Sequence, residues 1–290
     1  MDRHFLGLNT LKKTQPGAVG IGLRGPHYQS LLDELPTLDF LEVHSENYFN
    51  PHSQNRFYLE QIANYYPLSF HGIGLSIGSS EDISKTHLKN LKQIIDIFQP
   101  TLVSDHLSWS SLEGRFFNDL LPVPYTKEAL SCFVNNIHRI QEHLQRQILI
   151  ENPSSYLEYN DSKMSEPEFI NEIIKQTGCG LLLDLNNVYV SATNHQFSVE
   201  KYLDIIDHKT VQEIHLAGFT QKQVNNSTLL IDTHSTLVSQ SVWDVYQTYM
   251  STKKTDALTL IEWDLNIPTL DILIEEHNKA IRIKNIALER

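Results

Sequence analysis

The sequence predicts a (β/α)₈ barrel, in which eight parallel strands, each followed by a helix, close into a ring. The chain has 290 residues, and single-domain barrels of this class typically have ~250. Eight short aliphatic runs alternate with amphipathic segments. Most of these runs end in His, Asp, Glu or Asn. Active sites of such barrels lie at the carboxyl ends of the strands, so these polar residues are expected to share one face.

The strands are predicted from aliphatic runs that are nearly continuous rather than alternating. This pattern is typical of parallel strands that are covered on both faces. A doubly wound open sheet is the alternative, but the glycines of residues 72–78 do not have dinucleotide-binding spacing. The predicted strands lie near residues 18–23, 39–44, 67–71, 101–105, 147–151, 181–185, 211–216 and 258–262.

The helices are predicted from apolar residues at helical spacing. Ser165-Glu-Pro-Glu168 is a capping box that opens one helix, and Gly178 ends it. Pro268 opens the last helix, to about residue 288. The others are expected over residues 82–98, 126–145, 198–208 and 239–250. Residues 107–125 and 187–198 are expected to be loops at the barrel mouth.

Composition limits the possible classes of function. The formal net charge is −12, and no cluster of Lys and Arg offers a nucleic-acid surface. No apolar stretch approaches the ~20 residues that span a membrane, and residues 1–9 lack a signal-peptide core. We therefore expect one cytoplasmic domain over residues 1–290, with its barrel at about 17–266. Cys132 and Cys179 are expected to be buried, inert thiols, which leaves His and carboxylates as metal ligands.

The polar residues at the strand ends predict a metal centre. Crowded carboxylates cannot all ionise without cations, and a carboxylate such as Glu151 can bridge two ions. The set suffices for two or three metals ~3.5–4 Å apart, as in multinuclear hydrolytic sites. The expected ligands are His71, His106, Glu151, Asp184, Asn187, His215, Asp232, His234 and Glu262.

Further residues are expected around these ligands. Asp105 is a candidate catalytic residue, or it orients a ligand, and His44 and Glu46 are expected to line the site. Candidate substrate contacts are Arg24, Arg115 and Asn152. Either arginine could bind a carboxylate or lie at the surface. Asn152 could equally orient a ligand.

Several stretches of the chain, between about residues 17 and 266, resemble the multinuclear non-heme iron-dependent oxidative enzymes, the family of the methanobactin biosynthesis oxidase. The stretches are EVHSENYF, HGIGLSIGS, SDHLSW, IENPSSY, LLLDLNNVYVSATNH, IHLAGF, DTHS and IEWD. The resemblance implies a xylose-isomerase-like barrel with two or three irons, as mixed Fe(II) and Fe(III). It further implies oxidation of a cysteine in a ribosomally made precursor peptide, often with a small leader-binding partner protein.

The same barrel hosts zinc AP endonucleases, whose ligand order this chain follows closely. Asn187 departs from that order, because the endonuclease pattern has His there; a neutral amide oxygen moves the site from tight zinc binding toward iron. A zinc or manganese hydrolase or phosphodiesterase and a sugar isomerase stay open as alternatives. A non-enzymatic interaction protein is disfavoured, since partner binding needs no such ligand cluster.

Overall fold

The computed structural model describes residues 14–112, 114–225 and 227–289. Residues 1–9, on which the expected absence of a signal peptide rests, lie outside this part of the chain. The strands are, in chain order, β1 (Val19–Gly22), β2 (Phe40–His44), β3 (Leu68–Gly72), β4 (Val103–His106), β5 (Trp109–Leu112), β6 (Arg115–Leu121), β7 (Leu149–Glu151), β8 (Gly180–Asp184), β9 (Val211–Leu216), β10 (Thr220–Val224), β11 (Ser227–Ile231) and β12 (Leu258–Ile261).

Helices follow most barrel strands and form the outer layer. Helices α6 and α7 both follow β8, so these two helices share one barrel strand. The helices are α1 (Tyr28–Glu34), α2 (Gln54–Ile62), α3 (Lys85–Phe98), α4 (Lys127–Leu144), α5 (Glu166–Thr177), α6 (Leu185–His195), α7 (Val199–Ile205), α8 (Gln240–Lys253) and α9 (Leu270–Glu289).

Eight strands form a closed parallel barrel in the order β1-β12-β9-β8-β7-β4-β3-β2. This topology confirms the predicted fold class. The strand register aligns polar residues across neighbouring strands: His44 pairs with His71, His106 with Glu151, and Asp184 with His215. The carboxyl ends of these strands therefore present their side chains at one level of the barrel.

The main apolar core lies between the barrel and its helices. Helix α3 shows how the sequence builds it, because Ser84 caps its N-terminus and Leu91, Ile95 and Phe98 are buried on one face. The Phe98 ring meets Phe70 of β3 edge-on, with centroids 6.0 Å apart. Each such burial contributes about 1.5–3 kcal/mol. The core thereby holds the strand ends at fixed positions.

A smaller apolar cluster closes the other end of the barrel. It contains Ala18, Phe40, Leu258 and Leu260. Gly20 makes room for this cluster, since a Cβ there would lie 2.7 Å from the Phe40 ring. Apolar packing therefore fills the bottom of the barrel and leaves the polar residues at its mouth.

Both expected mouth loops are wrong as structural predictions. Residues 187–198 lie largely in α6, because Asp184 caps this helix by accepting a hydrogen bond from the Asn187 amide at 2.7 Å and Val188 and Val190 are buried. Residues 107–125 form the β5–β6 hairpin. Packing and capping thus give regular structure to two segments that we expected to be irregular loops.

A second antiparallel hairpin, β10–β11, follows β9. The apolar run before Asp232 therefore belongs to this hairpin and not to a barrel strand. Cys179 is buried as expected, whereas Cys132 is only partly buried and donates its thiol hydrogen to the Ser79 carbonyl at 2.8 Å. Within the described ranges, no helix combines the length and apolar character needed to cross a bilayer.

Candidate metal centre

Side chains two residues apart on a strand point to the same side of it. At the barrel mouth this alternation directs the last inward-pointing residue of most strands into a common layer. The neighbouring ring centroids of His71 and His106 are 4.6 Å apart, and those of His71 and His215 are 5.5 Å apart. The layer consists of His44, His71, His106, Glu151, Asp184, His215 and Glu262.

The first metal group is His71, His106 and Glu151, all buried. Glu151 Oε2 lies 3.1 Å from His71 Nε2 and 3.3 Å from His106 Nε2. Two ligands that each lie ~2.1 Å from one ion are separated by about 3.0–3.4 Å at angles between 90° and tetrahedral. Both distances from Glu151 therefore match the spacing of ligands to a single cation.

Hydrogen bonds fix the orientation of both histidine rings in the first metal group. His71 Nδ1 lies 2.8 Å from Ser104 Oγ, and His106 Nδ1 lies 3.1 Å from the Gly72 carbonyl. A protonated Nδ1 that donates to these oxygens leaves Nε2 free to bind metal. Burial, together with nearby histidines, lowers the pKa of His71 well below its usual value, and burial lowers the pKa of His106 to about 4.

The second metal group is Asp184, His215, His234 and Glu262. Glu262 Oε2 lies 3.0 Å from His215 Nδ1 and 3.2 Å from His234 Nδ1. Asp184 Oδ2 lies 3.9 Å from His234 Nε2. Asp184 also belongs with Glu151 and His215 to a set whose ligand atoms lie within 4.8 Å of one another. The two groups are thus continuous through Glu151 and Asp184.

Asp232, which follows β11, extends the second metal group through His234. His234 Nε2 lies 2.6 Å from Asp232 Oδ1. His234 has a φ of +44°, and its carbonyl accepts hydrogen bonds from the Asp264 and Leu265 amides. A left-handed conformation in a residue other than Gly costs about 1–3 kcal/mol and persists only where the surroundings enforce it. The Asn186 amide, donating to Asp232 Oδ1 at 2.7 Å, helps to enforce this arrangement.

The histidines of the second metal group have the opposite electrostatics from those of the first. Burial acts to lower the pKa of His215, but Glu42 and Glu262 raise it well above its usual value. Burial is likewise outweighed at His234, where Asp232 and Glu262 raise the pKa well above its usual value. Burial raises the pKa of Asp184 to about 7, against the charge of His234. Without metal, imidazolium groups supply the positive charge here.

An acidic layer lies one step below the metal groups, and the sequence analysis missed it. Glu42 and Glu213 precede layer residues by two positions and are fully buried. Glu42 Oε1 lies 3.3 Å from His215 Nε2, and Ser69 Oγ donates to Glu213 Oε2 at 3.2 Å. Burial, reinforced by Glu42, raises the pKa of Glu213 to about 8. Strand periodicity places each residue on the same strand face as a histidine, but it does not show which residues face it across the barrel.

Arg24, His44 and Asp264 lie at the more exposed edge of the second metal group. Arg24 Nη2 donates to Asp264 Oδ1 at 2.5 Å and lies 3.8 Å from Glu262 Oε1. His44 Nε2 lies 3.7 Å from the same Glu262 oxygen and 3.6 Å from Asp264 Oδ1. The structure therefore brings Arg24 and His44 to the site and adds Asp264, which we did not single out from the sequence.

The structure does not bring Asp105 and Glu46 into the metal groups. Asp105 accepts hydrogen bonds from the Leu75 and His106 amides, and burial raises its pKa to about 7. Glu46 Oε1 accepts hydrogen bonds from two backbone amides of residues 73–74 and lies 3.3 Å from His87 Nε2. Both carboxylates hold the chain that follows β3, beside the metal groups.

Asn152 and Arg115 also lie outside the metal groups. Asn152 donates its side-chain amide to the Asp184 carbonyl at 3.0 Å and accepts from the Asp184 amide at 2.9 Å. Its side chain thus orients Asp184. Arg115 is exposed on the β5–β6 hairpin, where it pairs with Leu112 through the backbone.

The donor set fits metal ions. Atoms that can ligate are buried and lack a hydrogen-bond partner among the described residues. Burying such atoms unpaired is costly, and metal coordination would satisfy them. Asn187 contributes one of them, because its Nδ2 atom donates to the Asn152 carbonyl and leaves Oδ1 unused. The atoms are Glu151 Oε2, Asp184 Oδ2 and Asn187 Oδ1.

Relatives of this chain are found in several bacteria. A UPF0276 protein of Psychromonas ingrahamii is 88% identical over 274 residues, covering 94% of this chain and 96% of the relative. A UPF0276 protein of Vibrio vulnificus is 52% identical over 262 residues, covering 90% of each chain. Their shared name does not specify an activity.

Solved structures with this fold include enzymes of different activities. D-psicose 3-epimerase from Clostridium cellulolyticum has a TM-score of 0.60 at 10% identity, covering 93% of this chain and 99% of that one. Endonuclease IV from Thermus thermophilus has a TM-score of 0.57 at 14% identity, covering 94% and 99%. At these identities the likeness shows the fold alone, a xylose-isomerase-like barrel.

The sequence of this chain also matches a family model over residues 18–285, which include the whole barrel and every residue of both metal groups. The model describes enzymes that modify the precursors of ribosomally synthesised and post-translationally modified peptides, abbreviated RiPPs. The chain belongs to this family, the RiPP precursor modification enzymes MbnB/TglH/ChrH.

Proposed function

We propose that this protein is a multinuclear iron enzyme that uses O₂ to oxidise cysteine residues of a ribosomally made precursor peptide. The observation that carries the proposal is the continuity of the two metal groups through Glu151 and Asp184. Shared carboxylates permit neighbouring ions to act on one substrate. Membership of a peptide-modifying family supplies the substrate class.

Each ion would be held by residues from different parts of the chain. His71, His106 and Glu151 would hold the first ion. Glu151, Asp184, His215 and Glu262 would hold the second. A third would use Asp232, His234 and the Asn187 amide oxygen. Bound iron would supply the redox capacity to pass electrons from a cysteine to oxygen, which no side chain of the site supplies.

The chain contributes orientation and charge. Ser104 and Gly72 hold His71 and His106 with Nε2 toward Glu151. Asn152 fixes the backbone of Asp184, whose Oδ1 caps α6 and whose Oδ2 stays available. These contacts pre-organise the donors, so little rearrangement is needed when metal binds.

A carboxylate-rich nitrogen and oxygen donor set, in which an amide replaces a histidine, favours iron over three tightly bound zincs. Described cysteines are absent from both metal groups. A zinc or manganese phosphodiesterase is the main competitor, and it would act without oxygen. The formal net charge of −12 disfavours a polyanionic substrate for such an enzyme.

The substrate would enter at the exposed edge formed by Arg24, His44 and Asp264. Asp264 has a side-chain exposure of 30% and His44 of 19%, against 4% or less for Glu262, His215 and Asp184. A cytoplasmic precursor peptide could be delivered there by a small leader-binding partner protein. Arg24 lies where it could orient the peptide backbone near the metals.

The test uses protein loaded with Fe(II) under argon and cysteine-containing precursor peptides encoded near its gene. Oxygen consumption and the peptide mass are then followed after air is admitted. The proposal expects two or three irons per chain by plasma mass spectrometry and an oxygen-dependent mass change confined to cysteine. Peptide modification or phosphodiester cleavage that proceeds equally under argon with zinc would refute it.

A further inference from the structure

One cavity has no lining residue in either metal group, and no step of the proposed reaction uses it. It has a volume of about 390 Å³ and lies between α5, α6, α7 and the segment that follows β7. This volume falls in the range of small-ligand sites, about 300–1,000 Å³. We call it the side pocket.

The side pocket is mostly apolar at its walls. Leu157, Tyr159 and Phe197 line it, and their exposed fractions are 64%, 41% and 39%. Large apolar side chains that are exposed around one concave site are unusual on a surface with no ligand or partner. These walls suit an aliphatic or aromatic body.

The side pocket also contains a carboxylate that lacks a cationic partner. Glu166 accepts hydrogen bonds from the hydroxyl groups of Tyr125 and of Tyr202, the latter at 2.6 Å. Burial raises the pKa of Glu166, although these phenols lower it. Among the described residues, no Lys or Arg forms an ion pair with Glu166; Lys201 lines the pocket, but its side chain is exposed. Glu166 is half-buried, and an opposite charge that joined it there would stabilise the ionised carboxylate.

The rim of the side pocket carries further negative charge. Glu158 has a side-chain exposure of 76%, and its Oε2 lies 3.7 Å from His195 Nδ1. His195 Nε2 lies 2.8 Å from the Ser155 carbonyl. With the formal net charge of −12, this rim favours the approach of a cation.

The side pocket is coupled to the metal centre by one segment of chain. Residues 155, 157, 158 and 159 line the pocket, while the hydroxyl of Tyr156 accepts a hydrogen bond from the Asp232 amide at 2.8 Å. Asp232 is 2.6 Å from His234 of the second metal group. A peptide lying across this segment could reach both sites.

We propose that the side pocket binds a lysine or arginine side chain of the peptide substrate, a short distance along the peptide from the reacting cysteine. The methylene stem packs against Leu157, Tyr159 and Phe197, and the cationic head pairs with Glu166. This inference rests on the proposed peptide substrate. It adds a specificity site that selects peptides with a basic residue at a fixed spacing from cysteine.

The test measures binding alone, so that it needs neither iron turnover nor oxygen. Fluorescein-labelled peptides carry serine in place of cysteine and one lysine scanned along a Gly/Ser/Ala background. Fluorescence anisotropy with the full-length protein gives Kd for each peptide and for matched norleucine and Nε-acetyllysine versions. We expect one lysine position to bind at least about tenfold more tightly than both neutral versions, as loss of a charge-assisted contact predicts.

A variant series assigns the effect to the side pocket. Glu166→Gln keeps an acceptor oxygen and the shape of the side chain but removes its charge. We expect it to abolish the preference for lysine while leaving norleucine binding unchanged. Glu172→Gln makes the same charge change on α5 but outside the pocket, and it should keep the preference. Thermal unfolding checks that both variants fold, and the acetyllysine comparison needs no variant.

Several outcomes overturn the inference. They are equal or tighter binding of norleucine or phenylalanine peptides, a lysine preference that survives Glu166→Gln, and no binding of any lysine peptide. The result is separable from the proposed reaction. Lysine selectivity without cysteine oxidation would refute the iron oxidase and retain the peptide site, and the reverse result would retain only the oxidase.

Discussion

The two metal groups use the same residue types but differ in how they balance charge. In the first, His71 and His106 donate Nδ1 to neutral oxygens and are neutral at physiological pH. In the second, His215 and His234 face carboxylates on both ring nitrogens and hold protons. Where carboxylates face both ring nitrogens, the imidazolium must therefore lose a proton before one nitrogen can bind metal.

This difference has a consequence for metal loading. A metal entering the first group displaces at most the proton of Glu151, whose pKa burial raises well above its usual value. A metal entering the second group displaces imidazolium protons as well. Metal binding that releases more protons weakens more steeply as pH falls. The first group is thus expected to load before the second under mildly acidic conditions.

The largest effect is expected from removing the carboxylate that the two groups share. Glu151→Ala should reduce bound iron to at most one ion per chain and lower peptide oxidation by about 10³-fold or more, the scale expected when oriented reacting groups are lost. Plasma mass spectrometry and oxygen uptake provide the readout. Glu46→Gln is a matched control, because Glu46 lies outside both groups. Full iron content in Glu151→Ala would disprove the bridging role.

The next effect tests the charge difference directly. His234→Ala removes a histidine from the second metal group, so the first group should be the tightest site that remains. His71→Ala removes a histidine from the first group, so the second group should be the tightest site that remains. For Co(II) titrated under argon and followed by absorbance, the affinity of His71→Ala should fall about 100-fold per pH unit between pH 8 and 6, since each released proton contributes about tenfold per unit. The Co(II) affinity of His234→Ala should fall about tenfold or less per pH unit over the same range. Equal slopes would remove the distinction between the groups.

Replacing Arg24, the cation at the edge of the second metal group, should have a smaller effect, which is on the free energy of unfolding. Arg24→Gln removes the ion pair to Asp264 at 2.5 Å and leaves Asp264 beside Glu262. Breaking a fully buried pair costs 3–5 kcal/mol, but Asp264 is partly exposed, so about 1–2 kcal/mol is expected. Denaturant unfolding measures this loss. Arg24→Lys should recover part of it, and an unchanged unfolding midpoint in Arg24→Gln would contradict the role assigned to the pair.

Asp184 offers a test in the metal-free protein. Its pKa is raised from 3.8 to about 7, chiefly by burial. Between these values the folded state binds the proton more tightly than the unfolded state, so this residue makes the fold less stable as pH rises from about 4 to about 7, and the loss is constant at higher pH. Asp184→Asn should therefore be more stable than the parent at pH 8 by about 1 kcal/mol or more, and nearly equal at pH 4. A stabilisation that is independent of pH would mean that the charge of Asp184 is already balanced.

The sequence predicted much of the barrel and many of the polar residues that gather at its mouth, for a simple geometric reason. A polar residue that ends an aliphatic strand must lie at the barrel mouth, which is why His71, Glu151 and His215 were found. The acidic layer was missed because Glu42 and Glu213 lie within the strands, and their importance depends on which residues face them across the barrel. Cross-barrel contacts have no short-range pattern in the sequence.

The loops at the mouth were less predictable. Helix α6 begins because Asp184 caps it. The same carboxylate is a candidate metal ligand, and the sequence alone does not show that one side chain can do both. The hairpin β5–β6 contains Gly114 and was expected to be irregular. Whether an arginine on such a segment reaches the site depends on the path of the chain. The residues that flank Arg24 and Arg115 in the sequence therefore do not show which of the two arginines reaches the site.

Arg115 therefore provides the smallest expected effect. It is exposed on the β5–β6 hairpin and forms no side-chain contact in the described metal groups, whereas Arg24 approaches Glu262 to 3.8 Å. Exposed substitutions of this kind usually change stability by less than about 0.5 kcal/mol. Arg115→Gln should keep its iron content and its Co(II) pH profile, with peptide oxidation within about twofold of the parent, because less than 0.5 kcal/mol is a factor of about two. A larger loss of oxidation with unchanged iron would place the hairpin over the bound peptide, and the peptide path would then extend from the second metal group toward β5–β6.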